Sequence, residues 1–113
     1  MNNYMSYKGY IAEVKYSDED GCFIGRVPGL KHTSISFEGI TVKELKKDFE
    51  ESIDFYLENC KKYKETPEVQ CKGSLNVRIG PELHVKAKIR AESENISINE
   101  LIKEALTKYL ESA

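Results

Sequence analysis

The chain has 113 residues, enough to bury one modest core or two very small ones. With 40% hydrophobic and 32% charged residues it has an ordinary soluble balance, and a net charge of -2 excludes any general electrostatic pull toward nucleic acid. Neither half is a polycation, with 11 Lys+Arg and 13 Asp+Glu before Gly73 against 6 and 6 from Gly73 onward, so nucleic-acid binding would need a local surface. The opening Met-Asn-Asn-Tyr-Met-Ser-Tyr has no apolar run of signal length and no window approaches a membrane span, so a cytoplasmic protein is expected. Cys22, Cys60 and Cys71 are odd in number and lack C-x-x-C or metal-ligand spacing, and only His32 and His84 could join them. Buried or idle thiols in a reducing compartment are expected, with no metal and no cofactor.

In chain order, residues Tyr7 to Tyr16 alternate Tyr10, Ala12, Val14 and Tyr16 against Lys8, Ile11, Glu13 and Lys15, the pattern of a strand with one face on a core. Ser17-Asp18-Glu19-Asp20-Gly21 is a turn cluster, Cys22 to Val27 a second strand, and the two make a hairpin. After Pro28-Gly29, Thr33 to Phe37 gives a third short strand that Gly39 ends. Thr41 and Glu44 form a capping box, and Val42, Leu45, Phe49, Ile53, Tyr56, Leu57 and Cys60 recur at helical spacing to about Tyr63. This helix is expected to lie across the small sheet, since neither layer has another apolar surface to cover it. Lys64 to Lys72 reads as a polar, proline-containing connector between residues 1–63 and 73–113.

Gly73 to Ile79 is a strand that the chain cannot complete alone. Leu75, Val77 and Ile79 point one way and Ser74, Asn76 and Arg78 the other. Pro81 closes it, and two helices without a second strand follow: one from Pro81 to about Glu94, stopped by Asn95 in a left-handed conformation, and one capped by Ser97 with Glu100 as its box partner. Leu101, Ile102, Ala105, Leu106, Tyr109 and Leu110 are expected to make the buried face of the last helix. An isolated strand is unstable and an unpaired edge is a template for another chain, so the economical solution is a two-fold dimer in which this strand pairs antiparallel with its own copy. Leu75, Val77 and Ile79 would then form the dimer core, and Ser74, Asn76 and Arg78 a polar face on a ribbon that fits the major groove of DNA. Arginine can fork onto guanine and asparagine onto adenine, each worth about 1–3 kcal/mol of discrimination.

Other candidate chemistry is weaker. Asp18, Glu19 and Asp20 could hold a divalent ion, but their place at a hairpin tip favours a solvated turn. His32 and His84 have no Ser or Cys nucleophile in a recognisable arrangement and read as surface residues. Phe23, Phe37, Phe49, Phe55 and the tyrosines could stack bases on a sheet, but most of them fall on faces the core needs. No catalytic residue is expected.

The run Leu75-Asn76-Val77-Arg78-Ile79, then Pro81-Glu82-Leu83, a helix, and Ser97-Ile98-Asn99 opening a second helix resembles the ribbon-helix-helix (Arc/MetJ-type) DNA-binding family. From Tyr7-Lys8-Gly9-Tyr10 to its end the chain resembles the HicB-family antitoxins of toxin-antitoxin pairs, in the branch with a ribbon-helix-helix tail; it departs in having Gly80 where many relatives have a second proline. The resemblance implies an α+β fold with a cut-down, partial RNase H-like sheet-and-helix domain that binds a toxin, and a β-α-α tail that completes its sheet by dimerising. Within that tail it implies base reading by Ser74, Asn76 and Arg78, and a phosphate anchor at Ser97, Ile98 and Asn99, where amides and the helix dipole attract an anion without net positive charge. The partners it implies are operator DNA, a HicA-type messenger-RNA endonuclease masked by residues 1–63, and a second copy of the chain, with pairing of dimers into tetramers left open. The run Asp48, Glu50, Glu51, Asp54 and Glu58 could face a basic toxin, diluted by Lys46, Lys47, Lys61 and Lys62. An orphan regulator without a toxin is the alternative, and a nuclease using the acidic turn a distant third.

Overall fold

A computed structural model describes residues 3–112, which divide into two compact units, one ending at Ser74 and the other starting at Leu75. The first is a four-stranded antiparallel meander, β1 (Tyr4–Tyr7), β2 (Tyr10–Ser17), β3 (Cys22–Arg26) and β4 (Ser36–Gly39) in that spatial order, followed by helix α1 (Val42–Lys62). The sequence predicts three strands, and the difference lies at Lys8-Gly9. Both residues take positive φ, 48° and 86°, and reverse the chain in two residues, so that Tyr7 faces Tyr10 and Met5 faces Ala12. A two-residue reversal of this hand matches strand twist, and lysine at its first position hides the usual Asn-Gly signal. The third strand also starts later than Thr33; Val27 N–H donates to Ile35 O at 3.0 Å, and the ladder proper begins at Ser36.

The expected inward face of β2 holds at Tyr10 and Ala12, which are buried, and fades toward Tyr16, which is exposed. Together with Phe37 from β4 and Leu45, Phe49 and Ile53 from α1 they form the core; each large side chain fully withdrawn from water contributes roughly 1.5–3 kcal/mol. Phe37 and Phe49 stack with centroids 4.7 Å apart, and Tyr7 meets Phe49 edge-on. This stack sits directly over β3 because Gly25, the partner of Phe37, has no side chain: a Cβ there would lie 2.2 Å from the Phe37 ring. Thr41 caps α1 as expected, its hydroxyl accepting from Glu44 N–H at 3.1 Å, while the Glu44 carboxylate reaches back to Ile40 N–H.

The stretch expected as a polar connector, residues 64–72, lies within the first unit. Glu68 and Gln70 hold it there. The Glu68 N–H donates to the Tyr56 hydroxyl, the Tyr10 hydroxyl donates to Glu68 O, and Gln70 bridges Ile11 N–H, Ile11 O and Pro28 O. These bonds satisfy backbone groups that would otherwise need water, which is how a strap without regular structure stays ordered.

The second unit has residues 75–80 without regular structure, then α2 (Pro81–Ser93) and α3 (Ile98–Glu111). Asn95 stops α2 at φ 56°, with Ile96 N–H bonded to Ala91 O and Asn95 N–H to Glu92 O, the paired bonds of a left-handed helix end. Gly80 enters α2 at φ 85°, a backbone angle proline cannot adopt. Only Ala91 of the two helices is buried, and the expected buried face of α3 is open: Leu101 is half-buried, and Ile102, Leu106, Tyr109 and Leu110 are exposed. Among the described residues no helix is long and apolar enough to cross a membrane.

Candidate functional site

The second unit exposes what the first one hides. Leu75, Val77 and Ile79, placed at alternate positions between Gly73 and Pro81, are 79%, 61% and 37% exposed. Val77 and Ile79 line an open groove of about 750 Å³ with Leu83, Leu101, Leu106 and Tyr109 from the two helices. On a small unit with one buried helix residue, this groove leaves a contiguous set of apolar side chains open to water.

Ser74, Asn76 and Arg78 alternate with those apolar residues and are exposed, and their side chains make no hydrogen bond or ion pair among the described residues. Ser74 is the last residue of the first unit, whereas Asn76 and Arg78 belong to the second. The second cluster of expected residues is at the start of α3. Ser97 is its N-cap, accepting from Glu100 N–H at 3.0 Å, and the next two residues are Ile98, half-buried, and Asn99, exposed. The amides of Ile98 and Asn99 have no acceptor within the helix, the ordinary condition of a helix start.

In the first unit the acidic run is less available than its sequence suggests. Asp48 accepts from Glu38 N–H at 2.9 Å, and Asp54 takes Lys8 Nζ at 2.7 Å and the Tyr7 hydroxyl at 3.0 Å. The Lys8 ammonium holds the Asp54 carboxyl below its usual range, with the Tyr7 hydroxyl adding to the effect. Glu50, Glu51 and Glu58 remain for a partner. The Glu68 carboxylate, which sequence reasoning missed, is also held below its usual range: the Thr33 hydroxyl is the main cause, and the amides of Lys31 at 2.7 Å and His32 at 3.2 Å assist. No residue pattern marks Glu68 as special, because its partners, the Thr33 hydroxyl and the amides of Lys31 and His32, come from a loop more than thirty residues away.

At the hairpin tip Asp20 is engaged with its neighbour Ser17, whose hydroxyl donates to Asp20 Oδ2 at 3.1 Å and accepts from Asp20 N–H. Among the described residues no three His, Cys, Asp or Glu side chains come together as a metal set. Cys22, Cys60 and Cys71 are free thiols, half-buried, buried and exposed in turn. Of the four phenylalanines, Phe37 and Phe49 serve the core, Phe23 packs against Tyr16 with centroids 5.5 Å apart, and Phe55 stands exposed on α1.

The fold is thus a mixed α+β protein, with a four-stranded antiparallel sheet and three helices. Residues 56–106, a little under half of the chain, match the model of the HicB family. The matched stretch runs from the last third of α1 through Leu75–Ile79 and α2 into α3. Neither the curated proteins nor the solved structures searched give a match.

Proposed function

We propose that the protein is an antitoxin and autorepressor of the HicA/HicB kind, acting in the cytoplasm by binding alone, with no catalytic step. The observation that carries this reading is the open apolar face of the second unit: Leu75, Val77 and Ile79 exposed beside the groove of α2 and α3, inside the stretch that matches the HicB family. A second copy, related by a two-fold axis, closes that face when the two Gly73–Ile79 segments pair antiparallel. The pairing buries three apolar side chains per chain and makes a two-stranded ribbon of the width the major groove accepts. Ser74, Asn76 and Arg78 then read base edges, and the amides at Ser97, Ile98 and Asn99 hold a backbone phosphate. The sheet-and-helix unit, with its own closed core, masks a small messenger-RNA endonuclease.

The reading is tested by a gel-shift of the purified chain on the DNA upstream of its own gene. Wild type retards that DNA specifically, and Arg78→Ala loses about 1–3 kcal/mol per contact, felt twice in a symmetric dimer. A folded wild-type protein that gives no specific shift contradicts the repressor half of the proposal. The second reading, an orphan ribbon-helix-helix regulator with no toxin, is favoured by one observation: the family match begins at Tyr56 and leaves the whole sheet outside it. A small basic protein encoded beside this gene, and bound by this chain, decides against it.

A further inference from the structure

The strap at residues 64–72 is held to the first unit almost entirely by polar bonds. Along it only Glu68 and Gln70 are half-buried, and Val69 between them is 71% exposed. A segment with so little apolar burial opens locally at far lower cost than a packed core. We propose that the strap is a releasable clasp: it docks and undocks as one piece on a first unit that stays folded, and so sets how much chain is free to run from that unit to Leu75. The clasp stands independently of the antitoxin reading.

The bonds that hold it come from three separate elements. In the loop between β3 and β4, the amides of Lys31 at 2.7 Å and His32 at 3.2 Å donate to the Glu68 carboxylate, and the Thr33 hydroxyl joins them. On α1 the Tyr56 hydroxyl accepts from Glu68 N–H at 2.9 Å, and on β2 the Tyr10 hydroxyl donates to Glu68 O at 2.7 Å. Two residues on, the Gln70 side chain accepts from Ile11 N–H at 2.8 Å and donates to Ile11 O and Pro28 O. The loop is shaped for this contact. Gly29 stands at φ 84°, and a Cβ there would lie 2.7 Å from Gln70 O, so the strap approaches closer than a side chain would allow.

Both ends of the strap have a place to turn. Lys64 follows α1 at φ 55°, in a left-handed stop whose bonds, Lys64 N–H to Lys61 O and Glu65 N–H to Cys60 O, go to the helix itself and survive undocking. Gly73, just past the strap, takes φ 84° with open space around it. With Gln70 docked, residues 71–74 alone lead to the second unit, a reach of at most about 14 Å. With the strap released the free chain starts after Lys64, and the reach rises to about 35 Å. The same sequence is therefore a short tether or a long one, according to the state of two side chains.

The test is amide hydrogen exchange of the full chain, resolved by nuclear magnetic resonance, for wild type, Glu68→Ala and Gln70→Ala. Ile11 N–H is bonded to Gln70 and not to Glu68, whereas the amides of Lys31 and His32 are bonded to Glu68 and not to Gln70. A strap that moves as one piece makes each variant speed exchange at the other residue's amides: Glu68→Ala at Ile11, and Gln70→Ala at Lys31 and His32, each roughly tenfold. The amides of α1 around Phe49 keep their wild-type protection, and the largest dimension measured by small-angle scattering grows in the double variant. Exchange that rises only at the amides each side chain itself bonds means two independent contacts and overturns the clasp. Cross-effects with equal loss of protection around Phe49 mean unfolding of the whole unit and overturn it as well. Cross-effects with an unchanged scattering dimension overturn the change of tether length.

Discussion

The two units of this chain solve the same problem with opposite means. Asn3–Ser74 covers one face of a sheet with one helix, and Ala12, Leu45, Phe49 and Ile53 have at most 1% of their surface left in water. The unit from Leu75 has two well-capped helices, a left-handed stop and a proline entry, yet buries only Ala91 in them. Local signals suffice to build helices; they do not create a core. The first unit has a core of its own, and we propose that the second acquires one in an assembly. The proposed function assigns protein binding to the self-sufficient unit and DNA binding to the other.

The comparison breaks most sharply at the segment Leu75–Ile79. Val77→Asp places a charge at the proposed seam without a partner, and the expected outcome is complete loss of the dimer by sedimentation, with the first unit still folded by near-ultraviolet circular dichroism. The complementary change is Phe49→Ala, which removes the ring stacked on Phe37 and should cost the first unit about 3–5 kcal/mol in urea unfolding while leaving the assembly of the second intact. Gly25→Ala is smaller, roughly 1–3 kcal/mol, because the Phe37 ring must give way to the new methyl group; the same unfolding titration reports it.

The smallest effect is in pH, and it too belongs to the first unit. The carboxyls of Asp54 and Glu68 are held below their ordinary values of 3.8 and 4.5 in the fold. A carboxyl lowered on folding stabilises the native state fully above its unfolded value and ceases to do so as pH falls through the folded one. The first unit should therefore lose stability progressively as pH drops below about 4.5, and Glu68→Gln should shallow that slope. Melting curves between neutral pH and pH 3 measure both.

Much of this organisation is legible in the residues themselves. The α1 face through Leu45, Phe49, Ile53 and Cys60, the caps at Thr41 and Ser97 and the stop at Asn95 follow from spacing and from side chains whose chemistry is local. What escaped the sequence is long-range. The first strand, Tyr4–Tyr7, is hidden by a lysine in a conformation usually left to asparagine or glycine. The strap at residues 64–72 looks like a linker because its composition is polar, and only the fold brings Glu68 to the amides of Lys31 and His32 and Gln70 to Ile11. The acidic run on α1 reads as one surface, but Asp48 and Asp54 are consumed by bonds to Glu38 and Lys8. In the second unit the sequence alternates Leu75, Val77 and Ile79 with polar residues, and the segment expected as a strand has no regular structure in the single chain and leaves those three side chains exposed.

The central claim, that the second unit obtains its core from a second copy while the first does not, is met most directly by following thermal unfolding of the full chain across a hundredfold range of protein concentration. The account predicts one transition whose midpoint rises with concentration, as assembly-linked folding requires, and one that stays fixed. Midpoints that are all independent of concentration would mean that the unit from Leu75 is stable as a single chain, and the ribbon built on Leu75, Val77 and Ile79 would be wrong.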